Sequence, residues 1–332
     1  MKNMQRVKWI DAAKGIAIIF VVIGHVFYFY IPGHGYDNSI VFIFSHKIAY
    51  SFHMPLFMML SGVVYAHSIA ISKADSGSRS IRKKLISYGV PYICFSILAW
   101  LSNNKLSVSD LLLMPIYPIG FMWFIYALLI MTLIQVKVGC GRTVLFKTTH
   151  LVVALFMLIL CPFIDGVFES VRFHDLIISD IMRWYFYYLL GVYGYNTIMR
   201  LTRLQTKILF CLILICSILF ISCFLLNCNL TLSKILTAIS GSIVVIGICM
   251  IFRNSIMEYV GKRSLPVYVL HNISISISQK ILFLLSQYIL LSDIVEWTAC
   301  VIVGTILPIF VFELATRVKY LDFCFSPLKY VK

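Results

Sequence analysis

The chain has 332 residues, of which 61% are hydrophobic and only 12% charged, and its mean hydropathy is +0.95. That excess of apolar side chains exceeds what a soluble core can bury, and apolar runs of about 20 residues, the length that crosses the hydrocarbon layer as a helix, recur from end to end. The formal net charge of +15 raises the question of a nucleic-acid partner, but the placement of the cations speaks for membrane topology instead.

The first run, WIDAAKGIAIIFVVIGHVFYFY, follows a basic start (Lys2, Arg6, Lys8). It is too long for a signal-peptide core and no small-residue cleavage site follows it, so it reads as a retained first helix. Further spans are expected at 47–67, 85–101, 121–136, 149–164, 180–199, 207–226, 235–252, 265–290 and 297–315, ten with the first at 10–31. Alternate connections and the two ends hold 21 of the 28 Lys and Arg residues, which places both termini in the cytoplasm. The segment 165–180 falls on the other side and is acidic (Asp165, Glu169, Asp175, Asp180). The expected fold is an all-α polytopic membrane protein forming one domain over 1–332, without an internal repeat. Ten cysteines sit mostly inside apolar runs with no CxxC pair, which points to packing and predicts neither a metal site nor a disulfide framework.

Ionisable groups inside the spans carry the chemistry. Eleven residues separate Lys14 from His25, about three turns, so the two share a helix face and lie about 16 Å apart along the axis. Asp11, three residues before Lys14, is placed to pair with it. Burial of such groups without partners or water costs several kcal/mol, so they should face a bundle interior or a wet cavity. A bland alternative stands beside this: Lys14 snorkels to the interface, and one histidine serves as a hydrogen-bonded core residue. His53, in the second span, falls roughly 10 Å below the outer surface by helical rise, near the level of His25. Arg183 and Trp184 open the sixth span on that side and Trp123 opens the fourth, an arrangement equally suited to an aromatic belt and to a sugar platform. On the cytoplasmic side Lys14 approaches the level of Ser61, Gly62 and His271, with Glu313 as a candidate counter-charge. Small residues such as Ser61 and Gly62 most often serve close helix packing. The polar run Asn272, Ser274, Ser276, Ser278, Gln279 and Lys280 marks the ninth span as interior. Arg79, Arg82, Lys83 and Lys84 fit positive-inside topology, lipid phosphate, and a cytosolic phosphorylated donor alike.

Four segments in order, WIDAAKGIAIIFVVIGHVF, FHMPLFMMLSG, MWFIYALL and GKRSLPVYVLHN, resemble the membrane-bound acyltransferase-3 family, whose first helix carries Arg or Lys, ten residues, then His. The Lys form with WID and FHMPLF is most similar to its fucose 4-O-acetylase-like branch. The resemblance implies a multi-pass protein of the bacterial inner membrane. It also implies transfer of an acyl group, commonly acetyl from acetyl-CoA, to a hydroxyl of a surface polysaccharide, such as O-antigen, or its lipid-linked precursor. Lys14 and His25 would then be required. With that chemistry His25 is the expected general base, Lys14 the organiser of the CoA tail, and His53 or Arg183 the stabiliser of developing charge. Asp11, Trp123, His271, Arg79, Arg82, Lys83 and Lys84 are the further expected substrate contacts. The expected partners are acyl-CoA, a glycan acceptor and membrane lipids, with no metal and no nucleic acid. A transporter or flippase whose path is lined by His25, His53, Lys280 and Glu313 is the main rival, and a non-catalytic scaffold the second.

Overall fold

The computed structural model describes residues 6–29, 40–72, 78–103, 106–140, 142–169, 172–226, 230–289 and 292–331. In chain order the helices are α1 (Lys8–Phe29), α2 (Ile40–Ser72), α3 (Ser78–Lys84), α4 (Val90–Leu101), α5 (Val108–Leu113), α6 (Trp123–Val138) and α7 (Val144–Val167). They continue with α8 (Ile177–Leu201), α9 (Thr206–Leu226), α10 (Thr231–Ile251), α11 (Ser255–Lys262), α12 (Ser264–Ser286), α13 (Asp293–Ala315) and α14 (Lys319–Phe325). Among the described residues nine helices are long and apolar enough to cross a membrane, one of them formed by α3 running into α4. The chain is an all-α, multi-pass membrane protein. The one expected span outside these nine, the sixth at 180–199, is α8, which has the length, about 37 Å for its 25 residues. It is more polar than the others, carrying Asp180, Arg183 and five tyrosines. A π-helical turn, Leu85–Gly89, joins α3 to α4. Pro91, which has no N–H to offer the carbonyl four residues back, sits just beyond it.

The described chain falls into two compact units with a boundary inside α2. The α1 unit comprises residues 5–57 and 204–317, and the α8 unit residues 58–203 and 318–332. In the α1 unit, α1 packs against α10, α11, α12 and α13. Lipid tails are as apolar as leucine, so such a bundle is held by close fit and polar contacts more than by expulsion of water. The small residues Ala12, Ala13, Ala17 and Gly24 are buried along α1 accordingly. The tightest approach is to α11: a Cβ on Gly15 would overlap the carbonyl oxygen of Met257, and one on Gly261 would overlap that of Asp11. The stretch 253–264, expected to be only a basic loop, thus contains a docked helix. In the α8 unit, α2 and α8 cross at Gly62 and Gly191, where a Cβ on either would strike the other helix's backbone. Gly62 serves packing, the bland option for that pair.

Candidate active site

Three buried or half-buried imidazoles converge in the α1 unit. His25 of α1 and His271 of α12 meet edge to face, with ring centroids 4.8 Å apart and planes at 84°. His53 of α2 stands edge-on to Tyr50 at 5.0 Å, and Tyr50 also covers His46 at 4.4 Å. Gly24, next to His25, makes room for Tyr50, whose ring would lie 2.6 Å from a Cβ at that position. The result is that His25 lies within electrostatic reach of His271, His53 and His46.

Backbone carbonyls select the tautomers. His271 Nδ1 lies 2.7 Å from the carbonyl oxygen of Tyr268 and 3.1 Å from that of Val267. A carbonyl only accepts, so the proton is assigned to Nδ1 and the lone pair to Nε2. His53 repeats the arrangement one turn back along its own helix, Nδ1 donating to Ala49 at 2.5 Å. Both rings are almost fully buried, His271 at 0% and His53 at 2% exposure, whereas His25 keeps partial access. The neutral His53 therefore has no N–H to spare for a developing oxyanion. A spare donor does occur on α12: both amide atoms of Asn272, the residue after His271, are buried without a hydrogen-bond partner among the described residues. In the sequence Asn272 stands only as one more polar residue of that helix. The single available signal was its place at the end of GKRSLPVYVLHN.

Two expectations about the cytoplasmic end are corrected. His271 does not lie level with Lys14 but against His25. Glu313 is not the counter-charge of Lys14 or His271, because Arg263 claims it, with Nε 2.6 Å and Nη2 2.5 Å from Oε1. The same guanidinium lies 3.7 Å above the Tyr259 ring, a second contact that helps hold it in place. Lys14 is half-buried and makes no hydrogen bond or ion pair with a described residue. Asp11 interacts with it through space only, and one Asp11 carboxylate oxygen is buried and unpartnered. Lys262 and Glu258 from α11 and Arg6 complete the charges around Asp11.

The remaining expected site residues belong to the α8 unit. Arg183 is ion-paired with Asp165 at 2.5 Å, and Trp184 stacks on Trp123 with centroids 5.8 Å apart and planes at 19°. All but Asp165 line one cavity of about 620 Å³. An Arg183 so engaged is a poor candidate for stabilising transient charge. Of the basic run, Arg82 and Lys83 are exposed, while Lys84 turns inward over the rings of Tyr65 and Tyr88 at 5.6 and 6.0 Å. The side chain of Arg79 lies outside the described residues. Lys280, a residue of the rival transport path, is on the surface of α12.

Comparison with known proteins adds the chemistry. Residues 7–313 match the acyltransferase domain family of the acyltransferase-3 type. The nodulation protein NolL of Mesorhizobium japonicum is 34% identical over 125 residues, covering 35% of this chain. The aligned stretch spans about a third of that relative's length, 32%. No solved structure matches.

Proposed function

Because the chain belongs to the acyltransferase-3 family, we propose that it moves an acetyl group from acetyl-CoA to a sugar hydroxyl of a bacterial surface polysaccharide or its lipid-linked precursor, in the inner membrane. The observation that carries the mechanism is the partly accessible His25 ring held edge to face against the buried His271. A sugar hydroxyl is a poor nucleophile at neutral pH, so its proton must leave as the new C–O bond forms. His25 takes that proton while the hydroxyl oxygen attacks the thioester carbonyl, and the carbonyl electrons move to oxygen. Collapse of the tetrahedral oxyanion breaks the C–S bond. The CoA thiolate departs and recovers the proton from the His25 imidazolium.

The oxyanion needs an N–H that is not already committed. With the His53 and His271 protons tied to backbone carbonyls and Arg183 held by Asp165, none of the groups expected from the sequence has an N–H to spare, and the Asn272 amide beside His271 on α12 is the uncommitted donor. Lys14, about 16 Å along the helix from His25, is too far to share its substrate atom and suits the phosphate or pantetheine part of the donor. Arg79, Arg82 and Lys83 belong to the cation excess that supports a cytoplasmic side for their connection, where CoA is found.

The test is reconstitution of the purified full chain in nanodiscs with radiolabelled acetyl-CoA and polysaccharide from a deletion strain. Label should enter the glycan with wild-type protein and not with His25→Ala at equal abundance. Undiminished acetylation by the variant would remove His25 as the base, and ion-coupled uptake without acetylation would replace the enzyme by a transporter.

A further inference from the structure

The cavity of about 620 Å³ in the α8 unit is bounded by Trp123 and Trp184, by Arg183 and Asp180 of α8, by Asp110 of α5 and by Arg172. Its size lies within the roughly 300–1,000 Å³ of small-molecule sites. From its walls we propose that it docks an uncharged sugar ring of the acceptor glycan, a reading that rests on the glycan acyltransferase assignment above and adds the place and the charge class of the acceptor.

Three observations carry it. First, Asp180 is 8% exposed, lines the cavity, and makes no hydrogen bond or ion pair with a described residue. A buried carboxyl left without a partner is costly, and a pair of sugar hydroxyls satisfies it. Second, the stacked indoles of Trp123 and Trp184 are each half-buried, so the pair presents a flat aromatic surface beside that carboxyl. The C–H-bearing face of a pyranose, slightly positive, packs on the negative face of an aromatic ring. A polar edge for the hydroxyls next to a flat apolar platform for the ring matches the two-sided character of a sugar.

Third, the cations at the wall are spoken for. Arg183 is bound to Asp165, and the exposed Arg172 pairs with Asp175 at 2.9 Å, so each guanidinium at the wall already has a carboxylate partner. Asp110 accepts from the Ser107 backbone N–H and hydroxyl, both at 2.7 Å, and these hydrogen bonds hold its carboxyl below the usual range and charged at neutral pH. A uronic acid or a sugar phosphate would meet the charged Asp110 carboxylate in a wall whose two guanidiniums are already paired, which disfavours it. The site therefore selects neutral hexoses or deoxyhexoses over acidic sugars.

Saturation-transfer difference NMR on the full chain in nanodiscs tests this apart from catalysis. The probes are methyl glycosides of glucose, galactose and fucose, with methyl glucuronide as the acidic comparison. At least one neutral glycoside should take up saturation on its ring protons, with the glucuronide at least threefold weaker. The signal should fall at least threefold in Trp184→Ala and in the near-isosteric Asp180→Asn, and should persist in His25→Ala. No signal from any neutral glycoside, a signal that survives both cavity variants, or equal signals from neutral and acidic probes would each overturn the proposal. Loss of acetyl transfer with binding intact would sink the enzymatic reading instead, so the two fail separately.

Discussion

The approach of α11 to α1 predicts the effect of one methyl group. A Cβ added at Gly261 would stand 2.7 Å from both the Asp11 carbonyl carbon and the Gly15 nitrogen, where ordinary contact begins at 3.4 Å. The helices must part by at least the difference, roughly 0.7 Å, and by more for the overlapped Asp11 oxygen. Both obstacles are backbone, so no rotamer change relieves them. Overpacking of this kind costs about 1–3 kcal/mol. The better helix propensity of Ala returns roughly 0.5–1 kcal/mol, which leaves a net loss of about 0.5–2 kcal/mol. The shift also moves the helix that carries Lys14 and His25, and a displacement near 1 Å at a reacting centre can cost on the order of 10²-fold in rate. Gly261→Ala should therefore lower the melting temperature in nanodiscs by several degrees and acetyl transfer by about 10- to 100-fold. Gly166→Ala, exposed on α7 with nothing within 4 Å, is the control and should be neutral or slightly stabilising. If Gly261→Ala melts and transfers like wild type, the glycine contact does not position α1.

Four further outcomes are expected. His25→Ala should lower glycan acetylation by about 10²–10⁴-fold, the usual contribution of a general base, with protein abundance unchanged on immunoblots. Lys14→Ala should raise the KM for acetyl-CoA more than it lowers kcat, and an unchanged donor dependence would remove Lys14 from donor binding. Asp165→Ala should destabilise the α8 unit by about 1–3 kcal/mol by stranding the Arg183 guanidinium, and Asp165→Ala with Arg183→Met should recover part of that in thermal melts. His271→Asn keeps an N–H for the Tyr268 carbonyl but deletes the ring against His25, so it should remain folded while kcat/KM falls and the acidic limb of its pH profile moves. An unmoved profile would reduce His271 to packing.

The long apolar spans were legible because runs of membrane length leave little choice, and their ends came within a few residues for most, α9 (Thr206–Leu226) against 207–226 for instance. α11 escaped detection because eight residues with Arg and Lys beside them look like any cytoplasmic loop. What makes Ser255–Lys262 a docked helix is the pairing of Gly261 with Gly15, two positions 246 apart in the chain. The level of His271 failed for a geometric reason. Counting rise from helix ends assumes that helices start at one plane and run parallel, yet His271, the eighth residue of α12, meets His25, the eighteenth of α1. Glu313 was misassigned because composition shows only that an acid is present, whereas Arg263, at the α11–α12 junction, reaches it first.

The choice among the imidazoles follows from access and from proton inventory together. A general base needs a lone pair and a path for the hydroxyl. His53 and His271 each have the lone pair, on Nε2, but their rings are sealed, and their Nδ1 protons are fixed on carbonyls one turn back in their own helices. His25 alone of the three combines partial exposure with contact to a second imidazole. On proton uptake it gains a positive charge beside the edge-to-face His271 ring, so that ring sets the surroundings in which the transferred proton is held. The sealed rings thus act on the transferred proton only through His25, which is why the His271 variant should alter the pH profile while leaving the fold in place.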